Sequence, residues 1–317
     1  MTAQTADLSP VPGFSHEAFM YSEPAGFLEQ SISFIREGVE LGEAVLVAVP
    51  GQRAAWLRNF FADEPGVRVE DMAEMGANPA RIIPAWREFL DRHTALGRPV
   101  RGIGEPIWAD RSPAELAECQ LHESLLNLAF GDGPAWRLLC PYDVSSLAGG
   151  VLDQALATHP VVVDADGRSA SNSYHSVPPS RALRGHPLPP PAGASVELPI
   201  TNGELGSVRR LVRRQCTEVG LDEERSDDLT LAVDEVAGNS LLHGGGIGLL
   251  RVWTEPSVIV CEVTDSGVIA NPLVGRQRPS LERINGRGLW LANQLCDLVQ
   301  VRSGAAGTII RLHMRLP

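Results

Sequence analysis

The sequence contains no long apolar run: nothing in its 317 residues approaches the ~18 consecutive apolar residues of a membrane-spanning helix. Its opening stretch, MTAQTADLSP, offers neither a basic segment nor an apolar core, so no export is indicated and a cytoplasmic location is expected. Cysteine is sparse. Five are spread over positions 119, 140, 216, 261 and 296 with no CxxC pair, and this odd count fits reduced thiols rather than a disulfide framework. Positive charge is in deficit, with 27 basic against 39 acidic residues and a net charge of −12. The average field repels phosphate, which speaks against direct nucleic-acid binding and against attachment to an anionic membrane. No internal repeat is apparent. What is present is globular composition, 44% hydrophobic and 21% charged, in a chain long enough for two domains with a core each.

Composition marks a boundary between them. From 164 to 194 the chain turns to Ser, Pro and Gly (DGRSASNSYHSVPPS, then GHPLPPPAG). Prolines clustered from Pro178 to Pro191 disfavour helix and stiffen the connection. The expected organisation is an N-terminal domain over residues 1–163, a linker over 164–194 and a C-terminal domain over 195–317. The N-terminal half reads as α/β. Helical spacing at Phe27–Leu41, Gln52–Phe61 and Pro79–Leu96 alternates with strand-like runs at Ala44–Val49, Val67–Glu70 and Val100–Glu105. Ser112 and Glu115 form a capping box before a helix through Phe130, and Trp136–Cys140 closes the series as a strand. Such alternation predicts a mostly parallel sheet with helices on both faces.

The C-terminal half carries the densest chemistry. DEVAGNSLLHGG, Asp234 to Gly245, sets Glu235, Asn239 and His243 four residues apart, nearly above one another on a helix. A carboxylate, a carboxamide and an imidazole down one stripe of an otherwise apolar helix suggest a polar cleft. Two signals follow in order: TDSG at Thr264–Gly267, then NGRGLWLANQL at Asn285–Leu295. An acid followed by Gly, and a Gly-rich turn opening a helix, suit a nucleotide site, because glycines let the backbone approach phosphate and a helix N-terminus supplies unpaired N–H donors. Taken singly, each has an ordinary explanation: a solvated helix face, a turn, a packing glycine, and for His243 a helix end stopped by the following glycines. Their joint occurrence among the strand-like segments VELPI, GLLRVW, SVIVCEV and TIIRLHM points to a nucleotide.

With these motifs, residues from about Val196 to Pro317 resemble the ATPase domain shared by bacterial histidine kinases, DNA gyrase, a heat-shock chaperone and a mismatch-repair ATPase, the GHKL or Bergerat fold. Within it they are most similar to the anti-sigma-factor serine kinases. The resemblance implies an α/β sandwich that binds ATP and Mg2+. It assigns Glu235 as general base and Asn239 as the magnesium ligand. Asp265 accepts from the adenine amino group, and Gly267 keeps that turn open. Gly286, Arg287 and Gly288 wrap the phosphates, while Gly307 and Thr308 lie near adenine. His243 falls on the same stripe. Two departures stand out: the first glycine box has Ile269 where its second Gly is usual, and Gly238 sits mid-helix at a cost of ~1 kcal/mol. Arg287 is the expected stabiliser of transferred charge, with Arg276 and Arg278 in the lid segment as rivals.

The N-terminal half resembles the MEDS sensory domain, a degenerate relative of the RecA and KaiC ATPase core, over residues 15 to about 160. The segments carrying this are SHEAFMY, GEAVLVAVPG, RGIGEPIW, ECQLHESLLN and LLCPYD. The turn at Val49–Ala54, where a phosphate loop would sit in a working relative, reads VPGQRA and lacks GxxxxGK[ST]. This half is therefore expected to sense a small molecule without ATPase chemistry. Candidate sensor residues are His16, Tyr21, Arg101, Glu105, Trp108, His122, Cys140, Tyr142 and Asp143, several of which follow predicted strands, where open parallel sheets bind ligands. Their ordinary alternatives are core packing for Trp108, Tyr142 and Cys140, and an Arg101–Glu105 ion pair. A metal site on Cys119, His122 and Cys140 lacks a fourth ligand. Ser15-His16-Glu17 mimics the start of a histidine-kinase phosphoacceptor box but lacks the basic residue and Pro that the box requires. His175 lies in the Pro/Ser linker.

The expected function is a cytoplasmic signalling protein: a sensor joined to an ATP- and Mg2+-dependent kinase acting on a serine or threonine of a partner, a sigma factor's regulator of the STAS type. Two alternatives belong to other classes, a non-catalytic ATP-dependent module that captures a sigma factor, and a sensor histidine kinase without its own acceptor histidine. A homodimer is compatible with each.

Overall fold

The computed structural model describes residues 13–185, 187–191, 193–279 and 286–317. The chain divides into two compact units after Val177. Asn285, which opens the expected phosphate-binding turn, and His186 and Ala192 of the expected linker lie outside the described residues.

The N-terminal unit runs β1 (Phe14–Tyr21), α1 (Pro24–Glu40), β2 (Ala44–Val49), α2 (Gly51–Phe60), β3 (Val67–Asp71) and α3 (Met72–Met75), then a 3₁₀ turn at Pro79–Arg81. It continues through α4 (Ile82–Thr94), β4 (Val100–Gly104), α5 (Pro113–Phe130), β5 (Trp136–Asp143), α6 (Gly149–Thr158), β6 (Val161–Asp164) and β7 (Gly167–Ala170). The strands form one sheet in the order β3-β2-β4-β5-β1-β6-β7, parallel except for β7, which pairs antiparallel with β6. Alternation sorts the strand residues between two cores. Odd positions, Phe19, Val45, Val47, Ile103 and Leu139, pack with Phe27, Phe34 and Ile35 of α1 and Leu57 of α2. On the even face Trp86 of α4 lies against Gly102 and Gly104, where a Cβ on Gly102 would stand 2.7 Å from the indole. That close approach is why RGIG has glycine on alternate positions. The capping box forms as expected, with the Ser112 hydroxyl accepting from Glu115 N and the Glu115 carboxylate accepting from Ser112 N.

The linker expected over 164–194 is shorter here. Residues 167–170 are a strand of the N-terminal sheet, and Ser171 N and His175 N donate to the carbonyls of Pro160 and Ala157. From Pro178 onward the chain joins the C-terminal unit. Leu183 is buried, its carbonyl accepts from Ser303 N, and the Pro189 carbonyl accepts from Arg311 at 2.6 Å. The proline-rich stretch is thus held by backbone acceptors, the one hydrogen-bonding group proline retains.

The C-terminal unit comprises α7 (Pro179–Ala182), β8 (Val196–Ile200), α8 (Leu205–Glu218), α9 (Glu223–His243), β9 (Gly248–Glu255), β10 (Val258–Asp265), α10 (Gly288–Leu295), β11 (Leu298–Gly304) and β12 (Gly307–Arg315). Its five strands form an antiparallel sheet in the order β11-β12-β10-β9-β8, with α9 packed on it and α8 and α10 packed on α9. One strand face is apolar: Ile259, Cys261 and Val263 stand opposite Met314, Leu312 and Ile310. The other carries a row of alternating charge, Glu197, Arg251, Glu262 and Arg311, neighbours across four strands and joined by ion pairs. Cross-strand pairing of opposite charges fixes register, since a one-residue slip would put them in the core. Among the described residues no helix is long and apolar enough to cross a membrane.

Candidate functional site

The apolar face of β10 does not end in an apolar residue. Continuing Ile259, Cys261 and Val263 by two places reaches Asp265, with Thr308 opposite it on β12. Both therefore turn toward the helix side of the sheet at its rim. There, under the last turn of α9, is a cavity of about 190 Å³ lined by Val236, Asn239, His243, Asp265, Gly267, Ile269, Gly286, Leu289 and Thr308.

Asp265 is held from two sides. Its Oδ1 accepts from Gly267 N at 2.8 Å and its Oδ2 from the Ser240 hydroxyl. Gly244 sits against this carboxylate and Gly307, at φ +114°, against the Asp265 carbonyl, so side chains at either place would displace the acid. A chain of hydrogen bonds secures the turn that follows: Ile269 N donates to Ser303 Oγ, and the Ser303 and Thr308 hydroxyls bond at 2.8 Å. Thr308 Oγ1 in turn donates to the Gly267 carbonyl. Thr308 thus shapes the Asp265 turn as well as lining the cavity. The Ile269 side chain lines the cavity in the place where the family pattern has glycine.

The helical stripe forms as its spacing predicts. Glu235, Asn239 and His243 all lie on α9, the first two half-buried and His243 exposed as its last residue. Gly288, the first residue of α10, is pressed against the stripe: a Cβ there would stand 2.8 Å from both Glu235 Oε2 and Asn239 Nδ2. Gly286, at φ +92°, and Arg287, the exposed N-cap of α10, precede it. Arg276 is buried and Arg278 exposed. Ser240 and Ser303 were not singled out in the sequence. Their hydroxyls matter only once the helix end and strand register bring them to Asp265 and the turn, and no spacing announces that.

In the N-terminal unit the sensor candidates separate into three places. Tyr21, Glu105, Trp108 and Asp143 gather at the carboxyl ends of the parallel strands. Of these, Glu105, Trp108 and Asp143 line a cleft of about 510 Å³ together with Gly51, Arg53 and Trp56. Glu105 is fully buried. Its Oε1 accepts from Tyr21 Oη and Arg53 Nη1, both at 2.9 Å, while Arg53 Nη2 stands 3.5 Å from Asp143. Burial outweighs the guanidinium and pushes the Glu105 carboxyl up to about 8, and burial with the neighbouring Glu105 also raises the Tyr21 phenol. Arg53, absent from the sequence candidates, is the residue that ties this group together.

Arg101 is elsewhere. It lies near the start of β4, where its guanidinium pairs with Glu37 and Glu43 and donates to the Phe34 carbonyl. Neither a cleft role nor an Arg101–Glu105 pair follows, because Arg101 lies near the start of β4 and Glu105 just past its other end. His16, Cys140 and Tyr142 form the third place, inside the domain beside Glu123 and His159. Burial and the neighbouring His159 lower the His16 imidazole to about 4, and burial raises the Cys140 thiol and Tyr142 phenol well above their ordinary values. His122 is buried on α5, and Cys119 donates its thiol to the Pro106 carbonyl at 3.2 Å. Among the described residues Cys119 and His122 do not converge with Cys140 as potential metal ligands, in keeping with the missing fourth ligand. His16 has no accessible surface, which rules it out as a phosphoacceptor in this fold.

Two family comparisons fit this geometry. Residues 15–160 match the family described as "MEDS: MEthanogen/methylotroph, DcmR Sensory domain", and residues 198–314 match "Histidine kinase-like ATPase domain". No curated protein matches the chain. Among solved structures, "the RsbU and RsbW domains of Rv1364c from Mycobacterium tuberculosis" match at 20% identity and a TM-score of 0.31, over 39% of this chain and 33% of that one. This chain thus spans a third of the length of that relative. The chain carries a MEDS domain followed by a histidine kinase-like ATPase domain, and the cavity between α9, α10 and the sheet rim belongs to the latter.

Proposed function

We propose that this chain is a sensor-regulated protein kinase of the anti-sigma-factor type, which binds ATP with magnesium in the C-terminal cavity and phosphorylates a serine or threonine of a partner. The observation that carries this is the contact of Gly288 with both Glu235 and Asn239. Any Cβ at this position would press on both side chains, so glycine here keeps the N-terminus of α10 close against a carboxylate and a carboxamide. Unpaired N–H donors there suit phosphate oxygens.

The residues fit the group they would hold. Asp265 has lone pairs left after its two bonds and accepts from an exocyclic amine. Val236, Ile269, Leu289 and Ile310 supply apolar walls for a flat base. Asn239 would hold the magnesium ion, which supplies neutralising charge on the phosphates when bound. Glu235 takes the proton from the attacking hydroxyl, and a half-buried carboxylate keeps the access to a partner's side chain that this requires. Arg287, exposed at the helix start, would face transferred charge. The partner in this reading is a small STAS-type anti-anti-sigma protein, with the sigma factor as second ligand. The N-terminal cleft around Arg53, Glu105 and Asp143 is the sensor pocket for a small molecule.

Single-turnover transfer from labelled ATP to a co-purified partner tests the reading. Glu235→Gln keeps size and hydrogen bonding but takes no proton, so nucleotide affinity stays within a few-fold while transfer falls by ~10²–10⁴. Asn239→Ala lowers affinity and rate together. Transfer by Glu235→Gln at the parental rate disproves the general base. A parent that transfers nothing yet retains a sigma factor is a binding module, and an acid-labile phosphohistidine on the partner makes the chain a histidine kinase.

A further inference from the structure

Four side chains meet inside the N-terminal domain, away from the cleft at the strand ends. His16 of β1, Glu123 of α5, Cys140 of β5 and His159 after α6 each present one ligand atom, and the four atoms all lie within 4.8 Å of one another. They are far apart in sequence and converge through topology. β1 lies between β5 and β6 in the sheet, and His16 and Cys140 share the even face, against which α5 packs.

The distances resemble the edges of a coordination polyhedron. His16 Nε2 is 3.0 Å from Glu123 Oε2 and 3.4 Å from Cys140 Sγ, and His159 Nε2 is 3.3 Å from the same glutamate oxygen. Around a tetrahedral zinc ion, nitrogen and oxygen ligands at about 2.0–2.1 Å and sulfur at about 2.3 Å stand roughly 3.3–3.6 Å apart. Hydrogen bonding has already oriented one ligand. His159 Nδ1 lies 2.8 Å from the Ala155 carbonyl, an acceptor only, so Nδ1 carries the proton and Nε2 turns a bare lone pair into the cluster. In that tautomer the lone pair faces Glu123 Oε2 at 3.3 Å, acceptor against acceptor, Glu123 Oε1 has no hydrogen-bond partner, and all four residues are at most 2% exposed. Buried polar atoms without partners are costly, and this many in one spot call for a ligand.

We propose that His16, Glu123, Cys140 and His159 form a closed tetrahedral site for a divalent ion of the zinc type. One carboxylate and one thiolate match the charge of a divalent cation, leaving a neutral assembly in a buried interior. Thiolate with imidazole selects against magnesium and calcium, which take oxygen ligands. With four protein ligands and no open position the site is structural in kind. It ties β1, β5, α5 and the residue after α6 into one unit beneath the sensor cleft's sheet. The proposal concerns the N-terminal domain alone and stands or falls separately from the kinase reading.

The test uses the full-length chain, stripped with a chelator and titrated with Co2+ as a spectroscopic stand-in. One Co2+ per chain is expected, with tetrahedral ligand-field bands in the visible and a thiolate-to-cobalt charge-transfer band in the near ultraviolet, all lost on adding Zn2+. Cys140→Ser removes the charge-transfer band, Cys119→Ser retains it, and His159→Gln weakens Co2+ binding by tenfold or more. A parent without the charge-transfer band overturns the proposal, whatever the variants do. A band that survives Cys140→Ser and disappears in Cys119→Ser overturns the ligand set. Circular dichroism of each variant separates lost binding from lost folding, and the parental spectrum decides the case should Cys140→Ser not fold.

Discussion

Replacing Gly288 with alanine isolates the contact on which the kinase reading rests. The added Cβ would stand 2.8 Å from Asn239 Nδ2 and Glu235 Oε2, so each must retreat by about 0.6 Å to reach the 3.4 Å of ordinary contact. Both atoms end flexible side chains. Off-rotamer adjustment costs about 0.5–1.5 kcal/mol for each side chain, and replacing a helical glycine with alanine returns about 0.5–1 kcal/mol. Gly288 has no positive φ to add strain. Stability should therefore fall by no more than about 2.5 kcal/mol. The consequence for chemistry is larger, because the displaced groups are the proposed proton acceptor and magnesium ligand. A misplacement near 1 Å costs about 10²-fold, so a shift of this size predicts transfer lowered ~10–10²-fold and nucleotide affinity lowered several-fold. Thermal melts, calorimetry with Mg2+ and ATP, and single-turnover transfer measure the three quantities on one preparation. If transfer and affinity both stay within twofold of the parent in a folded variant, the contact has no part in nucleotide chemistry.

The same change elsewhere on the stripe's helix should act oppositely. Gly238→Ala places its Cβ in open space within α9, so stability should rise by about 0.5–1 kcal/mol in denaturant titration with transfer unchanged, and a loss of stability would contradict it. Asp265→Asn leaves one acceptor for two donors, Ser240 and Gly267 N, and should lower stability by about 1 kcal/mol. It should also lower ATP affinity more than GTP affinity in calorimetry, and equal losses would argue against adenine at this acid. Glu105 has a folded pKa raised to about 8 from an unfolded value of 4.5. Between those values the unfolded chain has released a proton that the folded chain keeps, so stability falls as pH rises from about 4.5 to about 8 and levels above it. Glu105→Gln should flatten that part of the profile by a few kcal/mol, and identical slopes for parent and variant would place the carboxyl in water.

What the sequence discloses depends on whether a residue's partners are local. β2 is legible because six apolar residues in succession are bounded by Gly42 and by Pro50 with Gly51, and all six are buried. The helix after Ser112 is legible because its cap closes within three residues. β1 is hard to see in the sequence as a strand, since Ser15, His16 and Glu17 have the character of surface residues and are buried. Glu17 is matched by Arg137 and Arg168, more than a hundred residues away. β7 blends into the linker composition because Gly-Arg-Ser-Ala has no strand pattern of its own and is ordered by pairing with β6. In the C-terminal cavity the helical stripe can be counted off directly. The Ser240–Asp265 bond cannot, because it depends on how the helix end meets the rim of the sheet.

Burial separates two kinds of polar cluster that a sequence shows as the same residue types. Around the C-terminal cavity Glu235 and Asn239 are half-buried and His243 exposed, so water can satisfy them and their positions cost little without a ligand. Such groups are free to serve a substrate that comes and goes. In the N-terminal interior His16, Glu123, Cys140 and His159 are cut off from bulk solvent, and their mutual contacts leave His159 Nε2 and Glu123 Oε1 poorly matched. Groups in that condition favour a resident ligand, because each departure would re-expose the full desolvation cost, about 1–3 kcal/mol per unmatched group. The Arg53–Glu105–Asp143 group lies between these limits. Its carboxylate is buried but its guanidinium is about one-fifth exposed and lines an open cleft. A ligand that engages Arg53 would weaken its hold on Glu105 and so favour the protonated acid further. In the proposed sensor role, that coupling would link occupancy of the cleft to one proton on Glu105.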